Sequence, residues 1–170
     1  MALTWSKAVG LIRPHVVRIS TPRASGTGFL VARGKARQFV ALATAAHLID
    51  HIHRWEEPMR LEHTSSGQSV LLRHDQRAIF LAENRDTAAI LFVADALPLP
   101  EDVLELAPKD MYLKEGNDIG WVGFPSVSPM HMCFFGGRIS AMRESERAYL
   151  VDGVIIHGVS GGPAFHIGGD

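Results

Sequence analysis

A single cysteine, Cys133, leaves this chain without an intramolecular disulfide. It sits among Met132, Phe134 and Phe135, which reads as a small buried hydrophobe rather than a nucleophile. Charge of one sign is also missing: the formal net charge is −1, and Lys and Arg are scattered rather than gathered in a stripe. Nucleic acid is therefore not an expected partner. No apolar run approaches membrane-spanning length, the longest lying at 39–46. The N-terminus lacks a basic cap followed by an apolar core, and Lys7 and Arg13 interrupt its apolarity, so no signal peptide is visible. Together these absences predict a soluble, cytoplasmic chain that engages no membrane.

What is present is the material of a packed domain. Apolar residues make up 46 % of the 170 and charged residues 21 %. With 16 glycines and 9 prolines the chain has turn residues in the number that an all-β protein needs. Short strand-like segments recur at 16–20, 26–32, 38–44, 60–63, 69–73, 78–82 and 88–93, with a polar turn at 33–37 and a short helical stretch at 45–50. Pro98, Pro100 and Pro108, with acidic neighbours, mark 98–110 as a connector between a first lobe, 1–97, and a second, 111–170. Beyond it, strands are expected at 118–125, 132–135, 138–141, 148–151 and 163–167. The pattern predicts barrels or a sandwich.

Three segments carry chemistry. Thr44-Ala45-Ala46-His47 ends a buried strand on a histidine. Asn84-Arg85-Asp86-Thr87 places an acid just before another strand. Gly158-Val159-Ser160-Gly161-Gly162-Pro163 sets a serine among glycines. A serine hydroxyl is a poor nucleophile until a base takes its proton, and an imidazole needs a carboxylate to hold its tautomer. All three groups are present, in the order His47, Asp86, Ser160. Gly158 to Gly162 also fits Gly-x-Ser-x-Gly, the nucleophile elbow, but that elbow needs a following helix and an acid and histidine after the serine. His166 is the only later histidine, with no acid between, so the elbow reading fails. His47, His51 and His53 hint at a metal, yet no acidic or cysteine ligand completes a set, so neither metal nor cofactor is expected.

From about Val9 to Ile167 the chain resembles the chymotrypsin-like serine peptidases, and within them the HtrA/Deg-type peptidase domain. The likeness is carried by Pro14-His15-Val16-Val17-Arg18-Ile19, Gly26-Thr27-Gly28-Phe29-Leu30-Val31, Thr44-Ala45-Ala46-His47 and Asp86-Thr87-Ala88-Ala89-Ile90-Leu91. It continues through Val122-Gly123-Phe124-Pro125, Gly137-Arg138-Ile139-Ser140-Ala141 and the Ser160 motif. The resemblance implies an all-β, two-lobed, chymotrypsin-like double β-barrel and a serine endopeptidase acting on proteins or peptides. Ser160 would attack the scissile carbonyl, His47 would relay its proton and Asp86 would orient the imidazole. The N–H groups of Gly158 and Ser160 would form the oxyanion hole. Val159 stands where vertebrate-type trypsins hold an aspartate, so activation by a new N-terminus is not expected. Val154, six residues before the serine, would make an apolar pocket base that favours small or medium aliphatic residues, with His157 a further candidate for the pocket wall.

The family's closed second barrel has six strands, whereas four or five are expected here, so the second barrel is read as incomplete at the C-terminus. That shortfall predicts part of a longer polypeptide, or a partner that completes the site, and a latent or regulated enzyme with a disordered Ser160 loop. Two alternatives stay open: a protease-fold recognition module, and a domain that cleaves its own polypeptide once.

Overall fold

The computed structural model describes residues 3–35 and 38–168. Of the expected turn at 33–37, Ala36 and Arg37 lie outside the described residues. The first lobe is one curled sheet of seven strands: β1 (Val16–Ser20), β2 (Ser25–Arg33), β3 (Phe39–Ala45), β4 (Met59–His63), β5 (Gln68–Leu72), β6 (Arg77–Ala82) and β7 (Thr87–Val93). Their spatial order is β5-β4-β1-β2-β3-β7-β6, and all pairs are antiparallel. Alternation decides which face turns inward. In β7, Ala88, Ile90 and Phe92 are buried while Thr87 and Val93 are exposed. Ile19, Leu30, Leu42, Ile49, Ile52, Met59, Leu61 and Ile90 fill the interior.

The two ends of the sheet order meet through one side chain. The Arg77 guanidinium at the start of β6 donates to Leu72 O of β5 at 2.6 Å and to Glu57 O at 2.5 Å. Its burial lowers its pKa from the ordinary arginine value. The two donors thus satisfy carbonyls at a seam that has no ladder of its own.

The second lobe is a four-stranded sheet in the order β10-β9-β8-β11, from β8 (Asp118–Gly123), β9 (Cys133–Arg143), β10 (Ala148–Asp152) and β11 (Ala164–Phe165). Two expected strands, 132–135 and 138–141, are one continuous strand, β9. Gly136-Gly137 looks like a turn in sequence, yet a Cβ at Gly137 would overlap Asp152 O of β10 and sit 3.1 Å from the Trp121 ring. The glycine makes room across the sheet rather than a bend. Cys133 is half-buried, its thiol facing His131 O at 3.6 Å.

Two helices complete the fold. α1 (Trp5–Ile12) was not anticipated in the sequence; its Thr4 hydroxyl accepts the Lys7 N–H at 3.4 Å as an N-cap. Trp5 leans its ring on Phe134 and Phe165 of the second sheet, at 5.5 and 5.7 Å between centroids. Ile12 joins Val16, Val122, Phe124 and Met132 in a second core. α2 (Ala46–Arg54) follows β3 directly and buries Leu48, Ile49 and Ile52 in the first core. It runs a turn beyond the helical stretch expected at 45–50. Among the described residues no helix is long and apolar enough to cross a membrane.

Candidate active site

Register brings the histidine and the acid together. β3 and β7 pair antiparallel up to Ala45 opposite Thr87, so the residues just beyond that rung, Ala46 and His47 on one side and Asp86 on the other, meet at one end of the sheet. Asp86 is then contacted three ways. Its backbone carbonyl accepts the Ala46 N–H at 3.1 Å, Oδ1 accepts the His47 N–H at 2.9 Å, and Oδ2 lies 2.6 Å from His47 Nδ1. The first two contacts cap α2, whose own N-cap residue, Ala45, has no side chain able to do so. The third fixes a tautomer. An ionised carboxylate only accepts, so Nδ1 carries the proton and Nε2 is left with a free lone pair. Asp86 holds this position with a left-handed backbone, φ 49° and ψ 38°, which Asp tolerates better than most residues.

The Ser160 turn is seated against the first lobe. Thr27 N donates to Ser160 O at 2.9 Å, and the Thr27 hydroxyl donates to Gly158 O at 2.9 Å. Gly161, at φ 80°, lies so close to β2 and β3 that a Cβ there would overlap Thr27 O and Thr44 Oγ1. Named hydrogen bonds thus hold the turn against β2. Gly158, at φ 94°, is likewise in the left-handed region that a side chain disfavours. Among the described residues neither the Gly158 N–H nor the Ser160 N–H has a protein acceptor, although Val159 N–H, between them, bonds Ile156 O at 3.2 Å. Two unspent donors, one on each side of the Val159 N–H, suit an anion. Ser160 Oγ and His47 Nε2 make no hydrogen bond among the described residues.

Val154 is 60 % and Ile155 84 % exposed, and no strand covers 153–163. His157 is exposed; its carbonyl accepts the Ser126 N–H at 2.7 Å. His51 faces Thr21 Oγ1 at 3.1 Å rather than His47, and among the described residues no three His, Cys, Asp or Glu side chains gather as a metal site. Thr27 has no assigned role in the sequence reading. Its one signal is a hydroxyl residue between two glycines in a strand whose neighbours are apolar.

The model of the trypsin-like peptidase domain family matches residues 26–170. No curated protein sequence matches the chain. Among solved structures, Deg5 is similar over 96 % of this chain and 82 % of its own, at 18 % identity and a TM-score of 0.69. The serine endoprotease from Yersinia pestis is similar over 98 % of this chain and 55 % of its own, at 19 % identity and a TM-score of 0.72. Rv3671c from M. tuberculosis, in an inactive form, is similar over 94 % and 72 %, at 18 % identity and a TM-score of 0.63. The fold is the two-lobed chymotrypsin-like one, with the second barrel incomplete within the described residues.

Proposed function

The chain belongs to the trypsin-like peptidase domain family and is a serine endopeptidase, and from that premise we propose that His47, Asp86 and Ser160 are its catalytic triad, with the N–H groups of Gly158 and Ser160 as its oxyanion hole. The observation that carries the proposal is the double hold of Asp86 on His47, at the backbone N–H and at Nδ1. It leaves Nε2 as a base. In the proposed reaction Ser160 Oγ bonds to the scissile carbonyl carbon while its proton passes to Nε2. The carbonyl oxygen becomes an anion received by the two free N–H groups. Collapse expels the amine, which takes the proton from Nε2, and water then releases the acyl group by the reverse sequence.

The domain division follows the same reading: 1–97 carries His47 and Asp86, 111–170 carries Ser160, and 98–110 joins them. Val154 and His157 belong to the primary pocket, and the exposure of Val154 and Ile155 supports a latent or regulated enzyme in which an activating partner or an additional segment covers 153–157. That same exposure is what favours the second reading, a recognition or single-cleavage domain. Covalent labelling of the 170-residue chain by a fluorophosphonate, read by intact mass, separates an activated Ser160 from a recognition module. The Oγ–P bond forms as fluoride leaves, so labelling that Ser160→Ala abolishes supports an activated Ser160. A folded parent that takes no label overturns the triad.

A further inference from the structure

We propose that Thr27 is a positioning residue that aims the two oxyanion donors, an inference that rests on the reading of Gly158 and Ser160 given above. The carbonyls of the turn are fixed one after another. Four in succession are held: His157 O by Ser126 N at 2.7 Å, Gly158 O by the Thr27 hydroxyl at 2.9 Å, Val159 O by Gly162 N at 3.0 Å, and Ser160 O by Thr27 N at 2.9 Å. A trans peptide is planar, so holding its carbonyl also fixes the N–H on its opposite edge. The Gly158 and Ser160 N–H groups owe their directions to the held carbonyls of His157 and Val159. The Gly158–Val159 peptide lies between those two. If it turned, the backbone on either side of it, and with it the two donors, would be redirected.

Three of the four holds are made by backbone amides. The hold on Gly158 O is made by a side chain, that of a fully buried residue. Thr27 itself is fixed on every polar atom. Its hydroxyl accepts the Phe124 N–H at 3.1 Å, which leaves the hydroxyl proton for Gly158 O, and its carbonyl accepts the Thr44 hydroxyl at 2.7 Å. Its N–H is available to Ser160 O because the β2–β3 ladder begins two residues further on, at Phe29 opposite Ala43. The Ser160 turn takes up the gap. Thr27 therefore ties the turn, and the end of β8, to the lobe that carries His47. It does not touch the reacting atoms.

The test compares the parent chain with Thr27→Val, Thr27→Ser and Ser160→Ala. Two readouts are used: the rate and concentration dependence of fluorophosphonate labelling, and the backbone amide resonances of Gly158 to Gly162. Valine keeps the volume and removes the hydroxyl; serine keeps the hydroxyl. Thr27→Val should label about 10- to 100-fold more slowly, a part of the roughly 10²–10³ lost with a whole oxyanion donor, whereas Thr27→Ser stays within about threefold. The loss should fall on the limiting rate rather than on the half-saturating concentration, with the turn's amide resonances displaced in Thr27→Val alone. If Thr27→Val does not fold, Thr27→Cys, whose thiol is a weak donor, takes its place. Equal labelling by the parent and the hydroxyl-free variant overturns the proposal. If the folded parent takes no label, the triad reading fails separately and the resonances decide Thr27. Displacement in the valine variant but not the serine variant sustains its hold on the turn, and unchanged resonances in both overturn it.

Discussion

Asp86 performs two tasks that substitution can separate. Its Oδ1 and backbone carbonyl cap α2, and its Oδ2 fixes the His47 tautomer. Asp86→Asn keeps an oxygen for the His47 N–H and keeps a residue type that accepts the left-handed backbone at φ 49°. It puts an amide N–H where Oδ2 stood, and two donors cannot face each other. The imidazole proton must then move to Nε2, and the proposed base is lost. Labelling by a fluorophosphonate should fall by about 10⁴, while stability falls by less than about 1 kcal/mol, the worth of one charge at a helix N-terminus. Asp86→Ala removes the side-chain cap, about 1 kcal/mol. It also strains a left-handed residue, about 1 kcal/mol more. Its melting temperature should therefore drop by roughly 4–8 °C for a domain of this size. Labelling rate and calorimetry are read on the same samples, with ¹⁵N shifts of the His47 ring reporting which nitrogen is protonated. Asp86→Asn that labels within about tenfold of the parent would refute the tautomer argument, since the rate loss expected is near 10⁴. Equal melting temperatures for the two variants would refute the cap.

Gly161→Ala would drive a Cβ into Thr27 O and Thr44 Oγ1 and to 2.8 Å from Ala45 N. A destabilisation of about 2–4 kcal/mol with loss of labelling is expected, and an unchanged urea midpoint would count against the seating described. Gly137→Ala should separate β9 from β10 at Asp152 O and the Trp121 ring, which loss of the near-ultraviolet tryptophan signal would reveal; a parent-like spectrum goes against it. His63 is buried, with Nε2 against Pro14 O at 2.8 Å and Nδ1 against Ser66 Oγ at 2.9 Å. Desolvation, with the nearby His15 adding to it, lowers its pKa from the ordinary 6.5, although the Pro14 carbonyl pulls the other way. A depressed pKa means that the unfolded chain binds the proton first. The contribution of His63 to stability is therefore present above pH 6.5 and is lost as pH falls through the lower, folded value. Urea melts from pH 8 to pH 5 should show this fall in the parent and a shallower one in His63→Gln; parallel slopes would exclude His63 as its source.

The sequence disclosed the strands of the first lobe well because burial there follows a period of two, as Ala88, Ile90 and Phe92 display. Where it misled, the cause was contact across the sheet. Gly136-Gly137 carries the composition of a turn, and only the approach of Asp152 O and Trp121 explains a continuous β9. α1 was legible in principle, from Thr4 before Trp5, Ala8 and Ile12 on one face, but Gly10 and a short length hid it. The residues His47, Asp86 and Ser160 could be picked out by type and order. Their placement could not, because it depends on the Ala45–Thr87 rung and on the hydrogen bonds of Thr27. Offsets from Ser160 name Val154 and His157, but an offset carries no information on what packs against them.

The exposure of the His47–Asp86 pair sets what its electrostatics can deliver. The two side chains are 53 % and 55 % exposed. Unit charges about 4 Å apart interact by about 1 kcal/mol in bulk water and about 4 kcal/mol at the dielectric typical near a protein surface. On the proposed reading, an imidazolium forming at His47 in this open geometry is therefore held only weakly, and the Gly158 and Ser160 donors work against water for the oxyanion. Both terms grow when something lies over the site. A bound peptide does this in part, by desolvating His47 from the substrate side. The exposed apolar side chains of Val154 and Ile155 make a cover over 153–157 favourable by roughly 25 cal/mol per Å² of apolar surface withdrawn from water. On the same reading, activity still requires Ser160 Oγ to come within hydrogen-bond reach of His47 Nε2. Thr27 braces the turn and Asp86 holds the imidazole, so that approach and the exclusion of water are the terms left to vary.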